Sequence, residues 1–269
     1  MKGSGADVDI TATILSKSLQ WQTSLLFSFA KSNVSGYSMS ASLLANAYLS
    51  ESFINPVIGN PLFSIYSFRW AGLDASNGNP MGYIDGIASS DYSKLVTKTL
   101  LDSVVFAGSI QPSYFGAIRN TLSWKKISLS FNTSYKLDYF FRRPSVNYGT
   151  LFTTWSGHQD YESRWQKSGD ETFTNVPALI FPANTNRDRF YSNADILVEK
   201  ADHIRLEDLN LSYDFESAGK RLFFRHLKLY AYARIGAVLW SANKKGIDPY
   251  YINSPRPGKS IAFGMNVNF

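Results

Sequence analysis

Ser260-Ile-Ala-Phe-Gly-Met-Asn-Val-Asn-Phe269, the last ten residues of the chain, alternate apolar and polar without a break. Ile261, Phe263, Met265, Val267 and Phe269 fall on one face of an extended strand. Ser260, Ala262, Gly264, Asn266 and Asn268 fall on the other, because strand side chains alternate with a period of two. A soluble domain could use such a strand to cover a core. A chain that stops on the aromatic residue of such a strand fits the closing strand of a membrane barrel better, with lipid against the apolar face and a wet lumen against the small polar one.

Working outward, the same alternation recurs. Val8, Ile10, Ala12 and Ile14 share one side of Asp7 to Lys17, and Trp21, Thr23, Leu25, Phe27 and Phe29 share one side of the next segment. Ala117 to Trp124 leads through Lys125-Lys126 into a strand where Ile127, Leu129, Phe131, Tyr135, Leu137 and Tyr139 oppose Ser128, Ser130, Asn132, Ser134, Lys136 and Asp138. Leu209, Leu211, Tyr213 and Phe215 oppose Asn210, Ser212 and Asp214, and Leu227 to Ile235 oppose His226 to Arg234 in the same way. Alternating segments of roughly ten residues are what a tilted membrane strand requires. Lys136, Asp138, Lys228 and Arg234 all fall on the polar faces, where a charge escapes the cost of lipid.

Three long stretches, Ser32 to Asn60, Ala71 to Ser113 and Arg142 to Asp202, are rich in Ser, Asn, Gly, Pro and Tyr. They are too long for ordinary connections in a compact domain. Barrels of this kind carry short turns on the periplasmic side and long loops outside. With Phe269 at the periplasmic end, Ser241 to Gly258 and Arg142 to Asp202 are external, and Glu216 to Leu222 and Lys125-Lys126 are periplasmic turns. The upstream third is less regular: Pro61 to Trp70 either crosses with a partner or lies outside the bilayer. The parity implies seven or nine strands, an odd number for a fold that closes with an even one.

Composition agrees with a barrel. Sixteen Tyr, nineteen Phe and six Trp accompany a mean hydropathy of −0.17, which suits aromatic girdles, a polar lumen and polar loops. No uncharged apolar run is long enough for a membrane helix. Met1 to Asp7 is not followed by the apolar stretch of an export signal, so the chain is expected to begin within a longer protein. With no cysteine there is neither a disulfide framework nor a thiolate metal site. The formal charge of +6 is scattered rather than gathered in a stripe with stacking aromatics, so nucleic acid is not an expected partner.

Several local phrases then converge. Gly59-Asn-Pro-Leu-Phe-Ser-Ile-Tyr-Ser-Phe-Arg-Trp-Ala-Gly-Leu-Asp74, with Asn77-Gly-Asn-Pro80, is one. Gly108-Ser-Ile-Gln-Pro-Ser-Tyr-Phe-Gly116 with Asn120-Thr-Leu-Ser-Trp-Lys-Lys-Ile-Ser-Leu-Ser130 is another. Arg164-Trp-Gln-Lys-Ser-Gly-Asp-Glu-Thr172 with Val176-Pro177, and Val198-Glu-Lys-Ala-Asp-His-Ile-Arg-Leu-Glu-Asp-Leu-Asn-Leu-Ser-Tyr213, complete the set. In content and order these phrases resemble SusC/RagA-type TonB-dependent transporters over nearly the whole chain. Tyr230 to Gly236, Ser168 and Lys200 depart from that pattern.

The resemblance implies an all-β fold: the C-terminal part of a large antiparallel transmembrane β-barrel, an open portion of about seven to nine strands with long external loops. Residues 1–269 are then a partial receptor barrel without plug domain or N-terminal barrel strands. It further implies a multi-pass outer-membrane protein that imports glycan or peptide fragments, with a SusD-like surface lipoprotein and outer-membrane lipid as partners. The TonB complex would be engaged only through the missing N-terminal region. Phe269, at the end of the last strand, is the expected barrel-assembly signal.

No catalytic residue, metal or cofactor is expected. Asp170-Glu171 and Glu207-Asp208 are adjacent carboxylates, and neighbours on an extended strand point to opposite faces, so they cannot serve one bond as an acid/base pair. His158, His203 and His226 lack short ligand spacing. Asp74, Ser76, Asn77 and Asn79, near Asp85, read as an Asx-rich turn rather than a calcium loop. Trp155, Tyr161 and Trp165 are the candidate substrate-binding residues: they could stack on sugar rings or pack on a lipoprotein. The rival reading makes them the long loop's own small core, around a short helix at Gln159 to Gln166, because a loop of that length must bury something to be ordered. A small self-contained barrel with a structural or adhesive role and a soluble carbohydrate-binding β-sandwich are the alternative folds.

Overall fold

The structure, a computed structural model, describes residues 1–39, 42–49, 55–216 and 226–268. The chain divides into two compact units, taken here in turn. One comprises Ser4–Lys31, Pro112–Asp138 and the chain from Ala201 onward; the other is built chiefly from Ser32–Gln111 and Tyr139–Lys200.

The first unit is a seven-stranded sheet whose strands follow one another in chain order: β1 (Lys2–Ser16), β2 (Leu19–Asn33), β3 (Tyr114–Trp124), β4 (Ile127–Leu137), β5 (His203–Glu216), β6 (His226–Ser241) and β7 (Ser260–Asn268). From β2 onward every neighbouring pair is antiparallel. The registers align the alternation of one strand with that of the next. Trp21, Leu122, Leu129, Leu211, Ala231 and Phe263 form one cross-strand row, and Thr23, Asn120, Phe131, Leu209, Ala233 and Ile261 the row beside it. On the other face Gln22, Thr121, Ser130, Asn210, Tyr232 and Ala262 stand in line. Leu211, Leu229, Phe263 and Met265 are all exposed on the apolar face. Asn120 brings a side-chain amide to that face, and its oxygen accepts from Trp21 Nε1 at 2.9 Å.

Aromatic residues gather at both ends of that face. Trp124 and Ile127 are paired at the turn end, with Tyr213 beside Ile127 and its ring 4.3 Å from Phe215. At the far end Tyr114 lies opposite Phe29, their rings 5.1 Å apart, and Tyr135 spans Gly116 to donate its hydroxyl to Leu26 O at 3.1 Å. Gly116 is required by that contact: a Cβ there would come within 2.0 Å of Leu26 O and 2.6 Å of the tyrosine hydroxyl.

Strand β5 corrects one reading of the sequence. Its apolar residues change phase, even-numbered at Ile204 and Leu206 and odd-numbered from Leu209 to Phe215. The register absorbs the change by skipping Glu207 between Leu206 and Asp208 against β4. An extra residue of this kind is a β-bulge, which re-aims side chains locally. Leu206 therefore pairs with Thr133 on the apolar face and Arg205 with Ser134 on the polar one. Glu207 and Asp208 do not oppose each other as a regular strand would require. Glu207 accepts from Ser134 and lies 3.7 Å from Arg205 Nε, while Asp208 lies 4.0 Å from Arg119, so both carboxylates serve the polar face. Strand β4 also ends earlier than its alternation suggests. Asp138 takes a left-handed φ of 63° that turns the chain, and Tyr139 is buried in the second unit.

The second unit holds the long stretches. Ser64–Ser67 pairs with Val105–Ser109, and Trp70–Leu73 opens a three-stranded sheet with Pro80–Ile84 and Ile87–Ser89, so the segment around Pro61 to Trp70 lies outside the seven-stranded sheet. Short helices α1 (Tyr92–Thr97), α2 (Tyr148–Thr154) and α3 (Thr185–Ser192) complete it. Three apolar clusters form its core, around Phe68, Leu95 and Phe190, around Tyr148, Tyr191 and Leu197, and around Leu73 and Trp165, and Trp70 packs against all three. Arg187 of α3 is fully buried, donating from Nε to Asn79 Oδ1 at 2.9 Å and from Nη2 to Ala178 O at 2.7 Å over the ring of Tyr148. A buried guanidinium is tolerable only when its donors are matched in this way. The turn Glu216 to Leu222 and the chain end at Phe269 fall, from Ser217 on and at Phe269 itself, outside the described residues.

Candidate functional site

The three loop aromatics separate. Trp165 is only 9% exposed: its indole packs with Leu73 and Ala178, and Nε1 donates to Glu171 Oε2 at 3.0 Å. Gly78 makes room for it, since a Cβ there would come within 2.4 Å of the indole, and its φ of 66° is the region glycine tolerates. Asp170 beside it accepts from the backbone N–H groups of Gln166 and Lys167 at 2.9 and 3.0 Å and so helps to fold the Arg164 to Thr172 phrase. Asp74 does similar work, accepting from Ser76 N at 2.8 Å in an Asx turn.

Trp155 is the opposite case, 88% exposed. Helix α2 starts where the Asn147 side chain accepts from Thr150 N at 2.8 Å and stops at Trp155, whose N–H bonds Leu151 O at 3.1 Å. Trp155 ends the helix at φ 57°, ψ 21°. Glycine or asparagine ordinarily takes that left-handed position, and any other side chain costs about 1 kcal/mol. Tyr161 lies between the two extremes, half-buried against the Tyr148 cluster, with the Arg164 guanidinium 4.1 Å above its ring. The helix expected at Gln159 to Gln166 is a tight 3₁₀ turn, Gln159–Ser163.

Trp155 and Tyr161 share a groove of about 580 Å³ whose walls also include Leu151, Phe152, His158 and Glu162. Asp160, which stands between Gln159 and Tyr161 in the chain, is itself tied back into the loop. Arg143 Nη1 donates to Asp160 at 2.5 Å, Ser145 Oγ at 2.6 Å, and Asp160 N donates to His158 Nδ1 at 3.1 Å. Burial would push the Asp160 carboxyl up, but the hydrogen bonds from Ser145 and Arg143 outweigh it and hold the group below the ordinary aspartate value. Burial does win at Asp188 and Asp195, whose carboxyls are pushed up.

The sheet unit carries a second polar centre that the sequence did not single out. Arg205 Nη1 donates to both carboxylate oxygens of Asp248 at 2.8 Å, and Nη2 donates to Gly236 O at 2.9 Å. Arg256 approaches the same carboxylate at 3.3 Å, and the Arg205 guanidinium lies 4.7 Å from the ring of Tyr250. Lys136 lies 4.3 Å above that ring and His203 meets it edge-on. This fully buried pair ties residues 242–259, the connection between β6 and β7, to the polar side of β5. Arg205 and Asp248 are 43 positions apart, and a lone Asp-Pro-Tyr-Tyr in a connection carries no local sign of its partner. Among the described residues no three His, Asp or Glu side chains converge as metal ligands, and no helix is long and apolar enough to cross a membrane.

No family model matches the chain, and no curated protein does. Solved structures do. The chain is similar to the structure of the RagAB peptide transporter, with a TM-score of 0.73 and 21% identity over 99% of this chain and 29% of that one. It is similar to the RagAB peptide importer in its closed-closed state (TM-score 0.72, 21% identity, 99% and 29% covered). The open-open state gives a TM-score of 0.68 at 20% identity, with 99% and 28% covered. At this identity the likeness establishes the fold, all-β with its long connections included. The chain spans less than a third of the length of the solved chains it matches.

Proposed function

We propose that this chain is a wall segment of an outer-membrane importer of the SusC/RagA type, TonB-dependent, taking up oligomeric glycan or peptide fragments with a SusD-like surface lipoprotein. The observation that carries the reading is the seven-stranded meander with one face apolar and the other polar, row after row. In water such an apolar face would be a large exposed patch; in lipid it is matched. Its fold likeness to the RagAB peptide transporter supports transport as the task. Residues 1–269 belong, in the same proposal, to a larger receptor barrel, because β1 and β7 end the sheet order among the described residues and an open sheet edge is not tolerated in hydrocarbon. The chain performs no catalysis of its own.

The test is fractionation followed by uptake. The protein is expected in outer-membrane fractions as a heat-modifiable band. Cells lacking it should lose energy-dependent accumulation of labelled oligopeptides or oligosaccharides. Recovery as a soluble protein, or unchanged uptake of both cargo classes in the deletion strain, would remove the importer reading.

A further inference from the structure

The Trp155 groove combines three features that no internal packing explains. A tryptophan occupies a helix-ending left-handed position where glycine would be unstrained. Its indole is exposed rather than packed. Of the side chains that line the groove, Glu162 is the one carboxylate, and none is a lysine or an arginine.

The faces of aromatic rings carry negative charge density, so Trp155 and Tyr161 add to the carboxylate rather than offset it. Arg164 is stacked on Tyr161 and donates from Nη1 to Tyr161 O at 3.0 Å. It shows the geometry the remaining ring faces favour. Leu151 and Phe152 supply an apolar wall against which a long aliphatic stem can lie.

We propose that this groove is a subsite for a cationic side chain, an arginine or lysine of a peptide, with the charge set over Trp155 and paired with Glu162. The subsite rests on the importer reading for the source of the ligand, an oligopeptide cargo, but its recognition chemistry is its own. A neutral sugar ring would use the indole face and leave the carboxylate without a charge partner.

The experiment is calorimetric titration of the complete protein in detergent with Gly-Gly-Arg-Gly-Gly, Gly-Gly-Gln-Gly-Gly and maltotriose. An exposed cation–π contact and an exposed ion pair together predict that the arginine peptide binds about tenfold more tightly than the glutamine peptide. Raising the salt from about 0.05 M to about 0.5 M should narrow that ratio, because the ion pair is screened. Trp155→Gly relieves the left-handed strain, so this variant should fold at least as well as the parent, yet lose about threefold to fivefold in arginine-peptide affinity. Glu162→Gln should lose a similar factor with no change for the glutamine peptide. Equal binding of the two peptides, or Trp155-dependent binding of maltotriose alone, would overturn the proposal. So would affinities that neither substitution alters. Binding without uptake would sink the importer reading and leave the subsite standing; uptake with an indifferent groove would do the reverse.

Discussion

Phe131→Arg and Asn132→Arg, neighbours on β4, should differ sharply in the complete protein. Strand β4 has eleven residues, Ile127–Leu137. At about 3.4 Å per residue and a tilt of about 40°, it rises about 26 Å, close to the roughly 25 Å apolar band of an outer-membrane barrel. Phe131 then lies about 10 Å from the turn end and within about 3 Å of the midplane, whereas Leu129 lies about 8 Å from it. An arginine on the lipid face costs about 2–4 kcal/mol at the midplane and falls toward about 0–1 at the interfaces. Phe131→Arg should therefore approach the top of that range, Leu129→Arg an intermediate value, and Asn132→Arg little, since it joins Arg119 and Asp208 on the polar face. Reversible urea unfolding in lipid vesicles gives the energies, and heat-modifiable gel mobility gives the folded yield. Equal losses at residues 131 and 132, or a greater loss at Leu129 than at Phe131, would refute the assignment of faces and depth.

Gly116→Ala should destabilise the sheet by about 1–3 kcal/mol, as expected of overpacking, because the new methyl meets Leu26 O and the Tyr135 hydroxyl. Tyr135→Phe, which loses only one hydrogen bond, should cost about 1 kcal/mol in the same unfolding assay. Arg205→Met leaves the buried Asp248 carboxylate without its main partner and should cost about 3–5 kcal/mol, with faster proteolysis within residues 242–259. Arg205→Met combined with Asp248→Leu should recover much of that loss, and failure to do so would mean the pair does more than neutralise itself. Asp160, held below its ordinary pKa, contributes stability that is present above about pH 4 and lost as pH falls through the folded value. Asp188 and Asp195, pushed up, act in the opposite sense: their cost at neutral pH is relieved on mild acidification. Protease resistance of residues 139–200 should thus hold or rise from neutral to mildly acidic pH and fall below about pH 4, and Asp160→Asn should flatten the acid limb. An acid limb unchanged in Asp160→Asn would place the titration elsewhere.

What the residues determined alone was the sheet. Alternation is a period-two property of neighbouring positions, so Ser128 to Lys136 and Ile127 to Leu137 declare their faces without reference to the rest of the chain. Chain-order strands then follow from short turns such as Lys125-Lys126. Even the bulge at Glu207 leaves a trace in the sequence, a change of phase between Leu206 and Leu209. The second unit was legible only as long stretches unlike the hairpins. Its short strands, the burial of Arg187 and the Arg143–Asp160 ion pair join residues that are not near neighbours in sequence, where no period exists to read. Only the tertiary structure sets the exposure of Trp155 apart from the burial of Trp165. The two residues are identical in kind and ten positions apart, but Trp165 meets a glycine-shaped gap at Gly78 and the Glu171 carboxylate, while Trp155 closes a helix with its ring in the open. A side chain's hydrophobicity is carried by the residue, but the space that accepts it is made by partners the local sequence does not name.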